Sequence, residues 1–395
     1  MSPENSDESR AIRQRAQDFL RQLRRPDGAS SLAPGGEPYY LATCYAVFAL
    51  ELLGQLESLS ETERQATVTF LKTFQQADTG LFVDPRFREE EAPFHGGEYI
   101  RLQATMFCVD ALAALGAQPS HPLVYMTRWH SSDAVRDWLV GLDWRNAWLQ
   151  SNLALFVGFL LTWQVEQGMV QAQPGLGALL AWLDEDQDRT TGYWGPPHGA
   201  TLFNGMAATF HHLPITMYHG HLPVAAAAMV GNTLAMQQWD GLFAPGGGGG
   251  ACEDVDAIDV IAKGLLLCPK LLAEARPALL KARKALLRLQ RRDGGFPYCL
   301  ITPPCLFQAL RALSGKASLR QWASRKKRWF TRPPALETEW RRITVPFNTS
   351  DAFSTWFRLL SLALVEDILW PEEARKLWRF KPRAGIGWHP EEGSL

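Results

Sequence analysis

Residues 246–259 hold the chain's most concentrated chemistry. Five consecutive glycines, Gly246–Gly250, lead through Ala251 into Cys252, Glu253, Asp254, Val255, Asp256, Ala257, Ile258 and Asp259. Glycines let a backbone approach a ligand closely. Carboxylates at a helix start also answer the positive end of the helix dipole and cap free N–H groups, which accounts for Glu253 and Asp254 without any catalysis. Asp256 and Asp259 lie deeper, among Val255, Ile258, Val260 and Ile261, which seek burial. Carboxyls crowded together away from water raise one another's pKa, so that one stays protonated and can serve as a general acid. Asp256 and Asp259 are the candidates for that acid, with Asp254 a further catalytic carboxylate and Cys252 and Glu253 the adjacent substrate contacts.

Other groups could line the same site. His211, His212, His219 and His221 cluster, but their spacing matches no zinc pattern, so no metal or other cofactor is expected. Adjacent helix residues face different ways, so only one of His211 and His212 is placed to orient a carboxylate. Glu98 and Arg101 open another apolar segment, as a capping pair or as contacts to a polar substrate group. Tyr40, Trp144, Trp148 and Trp194, with Tyr39 and Trp356, would supply aromatic walls that stabilise cations or stack on sugars. With 15 tryptophans in the chain, core packing accounts for each equally well. Asn348–Asp351 reads as a helix cap, and Arg325–Arg328 as a solvated basic run. No P-loop, dinucleotide glycine fingerprint or serine-hydrolase elbow is present.

These residues need elements to hold them, and the turns supply the pattern. A glutamine, a polar step, a glycine and usually an aromatic residue recur at Gln22…Gly28, Gln76…Gly80-Leu81-Phe82, Gln187…Gly192-Tyr193-Trp194, Gln238…Gly241-Leu242-Phe243 and Gln290…Gly294-Gly295-Phe296. The closing glycines at 28, 80, 192, 241 and 295 stand 52, 112, 49 and 54 residues apart, the long step hiding a degenerate copy near Trp138–Trp148. A period of this size marks units that need their neighbours. Amphipathic helices such as Thr62–Gln76 and Pro277–Gln290 precede the turns. Helices apolar nearly all round follow them: Tyr39–Leu53, Arg101–Leu115, Ala147–Trp163, Asp256–Leu267 and Asp351–Val365. Half-exposed and fully buried helices in alternation predict an all-α fold with an outer and an inner wall, an (α/α)6 or (α/α)7 toroid. The expected organisation is a flexible opening at 1–10, one toroid domain at 11–380 and a tail at 381–395.

The five turns, Gln290–Phe296 above all, resemble the Gln–Trp type repeats of the terpenoid cyclase and protein prenyltransferase superfamily, whose members are α/α toroids. Asp254-Val255-Asp256-Ala257 is similar to the Asp-x-Asp-Asp acid motif of class II terpene cyclases such as squalene–hopene cyclase. The resemblance implies that Asp256, the middle aspartate, protonates an alkene or epoxide. Ala257 stands where the motif has its third aspartate, and Asp259 lies one helical turn beyond Asp256. The prenyltransferases' Asp-x-Cys zinc pair appears only in reverse, as Cys252-x-Asp254, with His389 downstream. The resemblance implies acid-initiated cyclisation or isomerisation of an isoprenoid. The fold also hosts polysaccharide lyases, hydrolases, epimerases and binding toroids, which remain alternatives.

Composition narrows the partners. Forty basic and 41 acidic residues leave no basic stripe for nucleic acid. The apolar stretches Leu153–Trp163 and Leu222–Val230 fall short of the ~20 residues that span a bilayer. Peripheral membrane contact stays open. Six scattered cysteines and no visible leader suggest a cytoplasmic protein with reduced thiols and a small hydrophobic substrate.

Overall fold

The computed structural model describes residues 3–91, 96–300, 335–337 and 343–390 and is mostly helical. The basic run 325–328 lies outside these residues. One set of helices is buried on nearly every side: α2 (Tyr40–Leu52), α4 (Gly96–Ala114), α6 (Ala147–Glu166), α8 (Leu202–Thr216), α10 (Ala251–Leu267) and α12 (Ala352–Leu369). A second set presents one face to water: α1 (Pro3–Leu23), α3 (Glu61–Lys72), α5 (Ser132–Val140), α7 (Gln173–Asp186), α9 (Ala226–Ala235) and α11 (Leu272–Leu287). The short α13 (Pro371–Leu377) follows α12. Two-residue strands β1 (Phe296–Pro297) and β4 (Ser350–Asp351) pair antiparallel, as do β2 (Ala335–Glu337) and β3 (Thr344–Pro346). Among the buried helices, contacts pass from α2 to α4, α6, α8, α10 and α12 in turn, and α12 packs back on α2.

The turns explain the spacing. Gln187 Nε2 donates to Gly192 O (2.9 Å), while its Oε1 accepts from Val224 N (2.8 Å) just ahead of α9. Gln290 Nε2 donates to Gly294 O and to Ile12 O of α1, both at 2.8 Å. One side chain thus closes its own turn and ties it to the next exposed helix. In two copies the working glutamine is one residue earlier than the sequence phrase suggested. Gln75 holds Gly80 O (3.0 Å) and His121 O (2.8 Å), and Gln237 holds Gly241 O (2.9 Å) and Ala278 O (2.8 Å). In the first copy Arg24 bridges to Glu63 O (2.8 Å) instead. The left-handed residue of the last turn is Gly294 (φ 91°), not Gly295. The degenerate copy falls at Gly141, which ends α5 with ordinary negative φ.

The described residues near both chain ends are packed. Residues 1–10 were expected to be flexible, yet α1 starts at Pro3, and Ser9 is buried with its Oγ donating to Glu366 Oε1 (2.5 Å). Glu366 also accepts from Arg283 Nε (2.8 Å) and Trp378 Nε1 (2.9 Å), so one buried carboxylate gathers α1, α11, α12 and the segment after α13. Of the expected tail at 381–395, residues 381–390 are described, and they pack against the helices. Lys381, Ala384, Ile386, Trp388 and His389 are all buried.

Candidate functional site

Helix α10 begins at Ala251, five residues before the Asp256 start read from sequence, so its first turn carries Glu253 and Asp254. Asp254 turns back toward the glycine loop. Its Oδ1 accepts from Phe243 N (2.6 Å) and Ala244 N (3.3 Å), and its Oδ2 from Gly250 N (3.0 Å). Oδ2 also pairs with Arg358 of α12, both side chains being fully buried. Every acceptor site is engaged, so Asp254 is a clamp on residues 243–250 and not the catalytic partner expected from sequence. Asp259 forms an ion pair through Oδ1 with buried Lys263 one helical turn on, while its Oδ2 has no hydrogen-bond partner among the described residues.

Asp256 differs from both in lining a cavity and in having no ion pair among the described residues. It is 1 % exposed, and its Oδ2 has no hydrogen-bond partner among the described residues. Burial first, then the neighbouring Glu253, Asp259 and Asp254, push its carboxyl well above the usual range. A group so placed holds its proton to higher pH than an ordinary aspartate does.

Asp256 borders a cavity of about 290 Å³. α4 supplies Tyr99, Gln103 and Phe107. Asn146 and α6 residues Trp148, Leu149 and Asn152 form another wall. α8 adds Phe210 and His211, α10 adds Cys252 and Asp256, and α12 adds Phe353 and Phe357. Ile386 enters from the C-terminal segment. Six of these are aromatic, and no lysine or arginine lines the cavity among the described residues. Gln103 is nearly buried and its Oε1 is also unpartnered.

The two adjacent histidines part as helix geometry requires. His211 faces the cavity with Nδ1 2.8 Å from Ser151 Oγ, and burial lowers its pKa to about 3, so it is neutral. His212 sits in the packing, 5.4 Å from the Trp194 ring and 6.0 Å from Trp144. Burial holds it neutral too, well below the ordinary histidine range. His219 contacts Thr162 Oγ1 (2.9 Å) and His221 contacts Asp184 (2.5 Å), so the four histidines form no joint site.

Of the remaining expected contacts, Trp148 and Cys252 line the cavity. Glu253 stands beside it, partly exposed, accepting from Tyr298 Oη (2.7 Å); burial raises its pKa and that hydrogen bond offsets part of the rise. Tyr40, Trp144 and Trp194 are core residues. Tyr40 stacks on Phe74 (4.9 Å), Trp144 stacks on Trp182 (4.7 Å), and Trp194 Nε1 donates to Leu183 O (2.7 Å). Glu98 lies at the surface with Tyr125 Oη (2.8 Å) and Arg128 (3.0 Å), and Arg101 pairs with Glu89. The sequence reading placed these five at the substrate. Solvent pairing explains Glu98 and Arg101, and ring packing explains the three aromatics. Gln103, Tyr99, Phe107, Phe210 and the two phenylalanines of α12 escaped that reading because they sit inside uniformly apolar helices, where nothing marks one face.

Among the described residues, no helix is long and apolar enough to cross a membrane. No protein-family model and no curated protein matches the chain. A crystal structure of a protein from Actinoplanes aligns with 17 % identity and a TM-score of 0.44, over 90 % of this chain and 99 % of its own.

Proposed function

We propose that this chain is an (α/α)6 toroid whose central cavity converts a neutral isoprenoid by acid-initiated cyclisation or isomerisation, with Asp256 delivering the proton. Three features among the described residues support the toroid reading: six buried helices in cyclic contact, six half-exposed helices, and the Gln290–Ile12 tie to α1. The observation that carries the chemistry is Asp256 itself, a buried acid with an unpartnered oxygen in an aromatic cavity.

In this scheme the π pair of a substrate alkene takes the Asp256 proton, leaving a carbocation and an aspartate. The rings of Tyr99, Phe107, Trp148, Phe210, Phe353 and Phe357 present negative faces that stabilise the cation. Loss of a proton back to Asp256 restores the acid and gives an isomer of the same mass. A cavity with no lysine or arginine among its described lining residues, and a neutral His211, suits a neutral substrate better than a diphosphate. The carbohydrate alternative draws on Glu98, Arg101, the histidines and the carboxylates; of these Glu98 and Arg101 lie in surface ion pairs, while His211 and Asp256 line the cavity.

The test is incubation of purified protein with linear prenyl alcohols, polyenes and prenyl diphosphates, read by mass spectrometry beside Asp256→Asn. A mass-neutral product made by the wild type and lost in the variant supports the reading. Equal turnover by both proteins removes Asp256 from the acid role, and no conversion of any isoprenoid removes the substrate class.

A further inference from the structure

The cavity residues on α4, α6, α10 and α12 belong to the first three turns of those helices. The opposite ends of the buried helices meet the chain's last described segment. Arg379 N donates to Leu52 O of α2 (2.8 Å). Lys381 pairs with Asp110 of α4, its ammonium 5.9 Å from the Phe159 ring of α6. Arg383 joins Asp110 Oδ1 (3.0 Å) to Glu51 Oε2 (2.8 Å). Gly385 N reaches Pro214 O of α8 (3.4 Å), and Trp388 lies 5.8 Å from the Lys263 ammonium of α10. The segment therefore touches five of the buried helices at the end away from the glycine loops.

Its tip is a tight turn. Trp388 N donates to Gly385 O (3.0 Å), and Gly387 takes φ 91°, the positive value that the third position of a type II turn requires. Ile386 stands at the turn's second position and is the only lining residue this segment contributes. Gly385 abuts the Phe159 ring so closely that an added Cβ would lie 3.1 Å from it, leaving the turn little room to shift.

We infer that Ile386 is the floor of the cavity and sets the length of apolar chain that the site accepts. The inference rests on the isoprenoid reading only for its biological substrate; the floor itself concerns any linear apolar chain. Three ion pairs and the Trp388 packing hold the turn, so the depth is fixed by one side chain.

The experiment titrates wild type, Ile386→Ala and Ile386→Trp with n-alkanols of increasing length and with geraniol, farnesol and geranylgeraniol. Binding is followed by tryptophan fluorescence, since Trp148 lines the cavity. The alanine variant is expected to move the preferred chain upward, with about tenfold better relative affinity for the next longer member. The tryptophan variant is expected to lose about tenfold on the wild type's best ligand. An unchanged length preference in both variants overturns the floor. Alkanols bound with the expected shifts, and prenyl alcohols not bound, uphold the floor and overturn the isoprenoid reading. Binding of neither series overturns both.

Discussion

Asp254→Asn keeps the size of the side chain and removes its charge, leaving the Arg358 guanidinium buried without a counter-ion. Breaking a fully buried ion pair from one side costs about 3–5 kcal/mol. At roughly 2.1 cal/mol/K of unfolding entropy per residue, 395 residues give ~0.8 kcal/mol/K. The expected fall in Tm is therefore about 4–6 °C. Asp254→Ala should fall further, because Phe243, Ala244 and Gly250 also lose the acceptor of their N–H groups. Combining Asp254→Asn with Arg358→Met removes both charges and should recover part of the loss. Thermal unfolding followed by circular dichroism measures all of these proteins together with Arg358→Met alone. If Asp254→Asn melts within about 1 °C of wild type, or the double variant falls by the sum of the singles, Asp254 is not a clamp.

Asp256 should show the opposite balance. The folded state keeps a proton that the unfolded chain releases above its ordinary pKa, so this residue costs stability increasingly as pH rises from about 4. Asp256→Asn is expected to be more stable than wild type by a margin that widens toward neutral pH, measured by urea unfolding across pH; a margin independent of pH contradicts a buried acid. His211, with its pKa lowered to about 3, binds fewer protons folded than unfolded. Its contribution is therefore lost as pH falls from about 6.5 toward 3, by up to roughly 5 kcal/mol, and His211→Gln should flatten that slope. Gly80 (φ 76°) has Pro122 O and Leu123 Cα where a Cβ would go, whereas Gly168 (φ 84°) faces open space. Gly80→Ala should cost at least ~2 kcal/mol more than Gly168→Ala; equal losses would mean that the turn is not packed on the next unit.

What was legible in the sequence was punctuation. A glycine that must be left-handed, preceded by a glutamine and followed by a buried aromatic, is a local requirement, so Gly80, Gly192 and Gly241 could be read directly. Uniformly apolar runs announced α2, α6 and α12. Helix α8 went unread because His211, His212 and Pro214 interrupt its apolar run, although all three are buried. The cap at Asp351 was read correctly: its Oδ1 accepts from Ser354 N (2.7 Å), though burial lifts its pKa to about 7. The acidic cluster could not be sorted from sequence. Only the position of Arg358, over a hundred residues downstream, and of Lys263 decides which carboxylates are consumed and which is left for the cavity. The C-terminal segment was opaque for the same reason, since Lys381 and Arg383 look like surface charges until Asp110 and Glu51 are placed beside them.

The Glu366 junction also has a consequence for how the chain reaches this state. Ser9 and Glu366 are 357 residues apart, and Ile12 meets Gln290 across 278. As the polypeptide leaves the ribosome, α1 must wait for nearly all of the remaining sequence before its long-range partners exist. Until then its apolar stripe, including Ile12, Ala16, Phe19 and Leu23, has only the contacts of α2 to cover it. Pairings across such distances are slow to form, and they leave surface open to association in the meantime. The stretch carrying Glu366, Trp378 and Lys381 therefore acts as a latch during synthesis, and a truncation before it would strand α1.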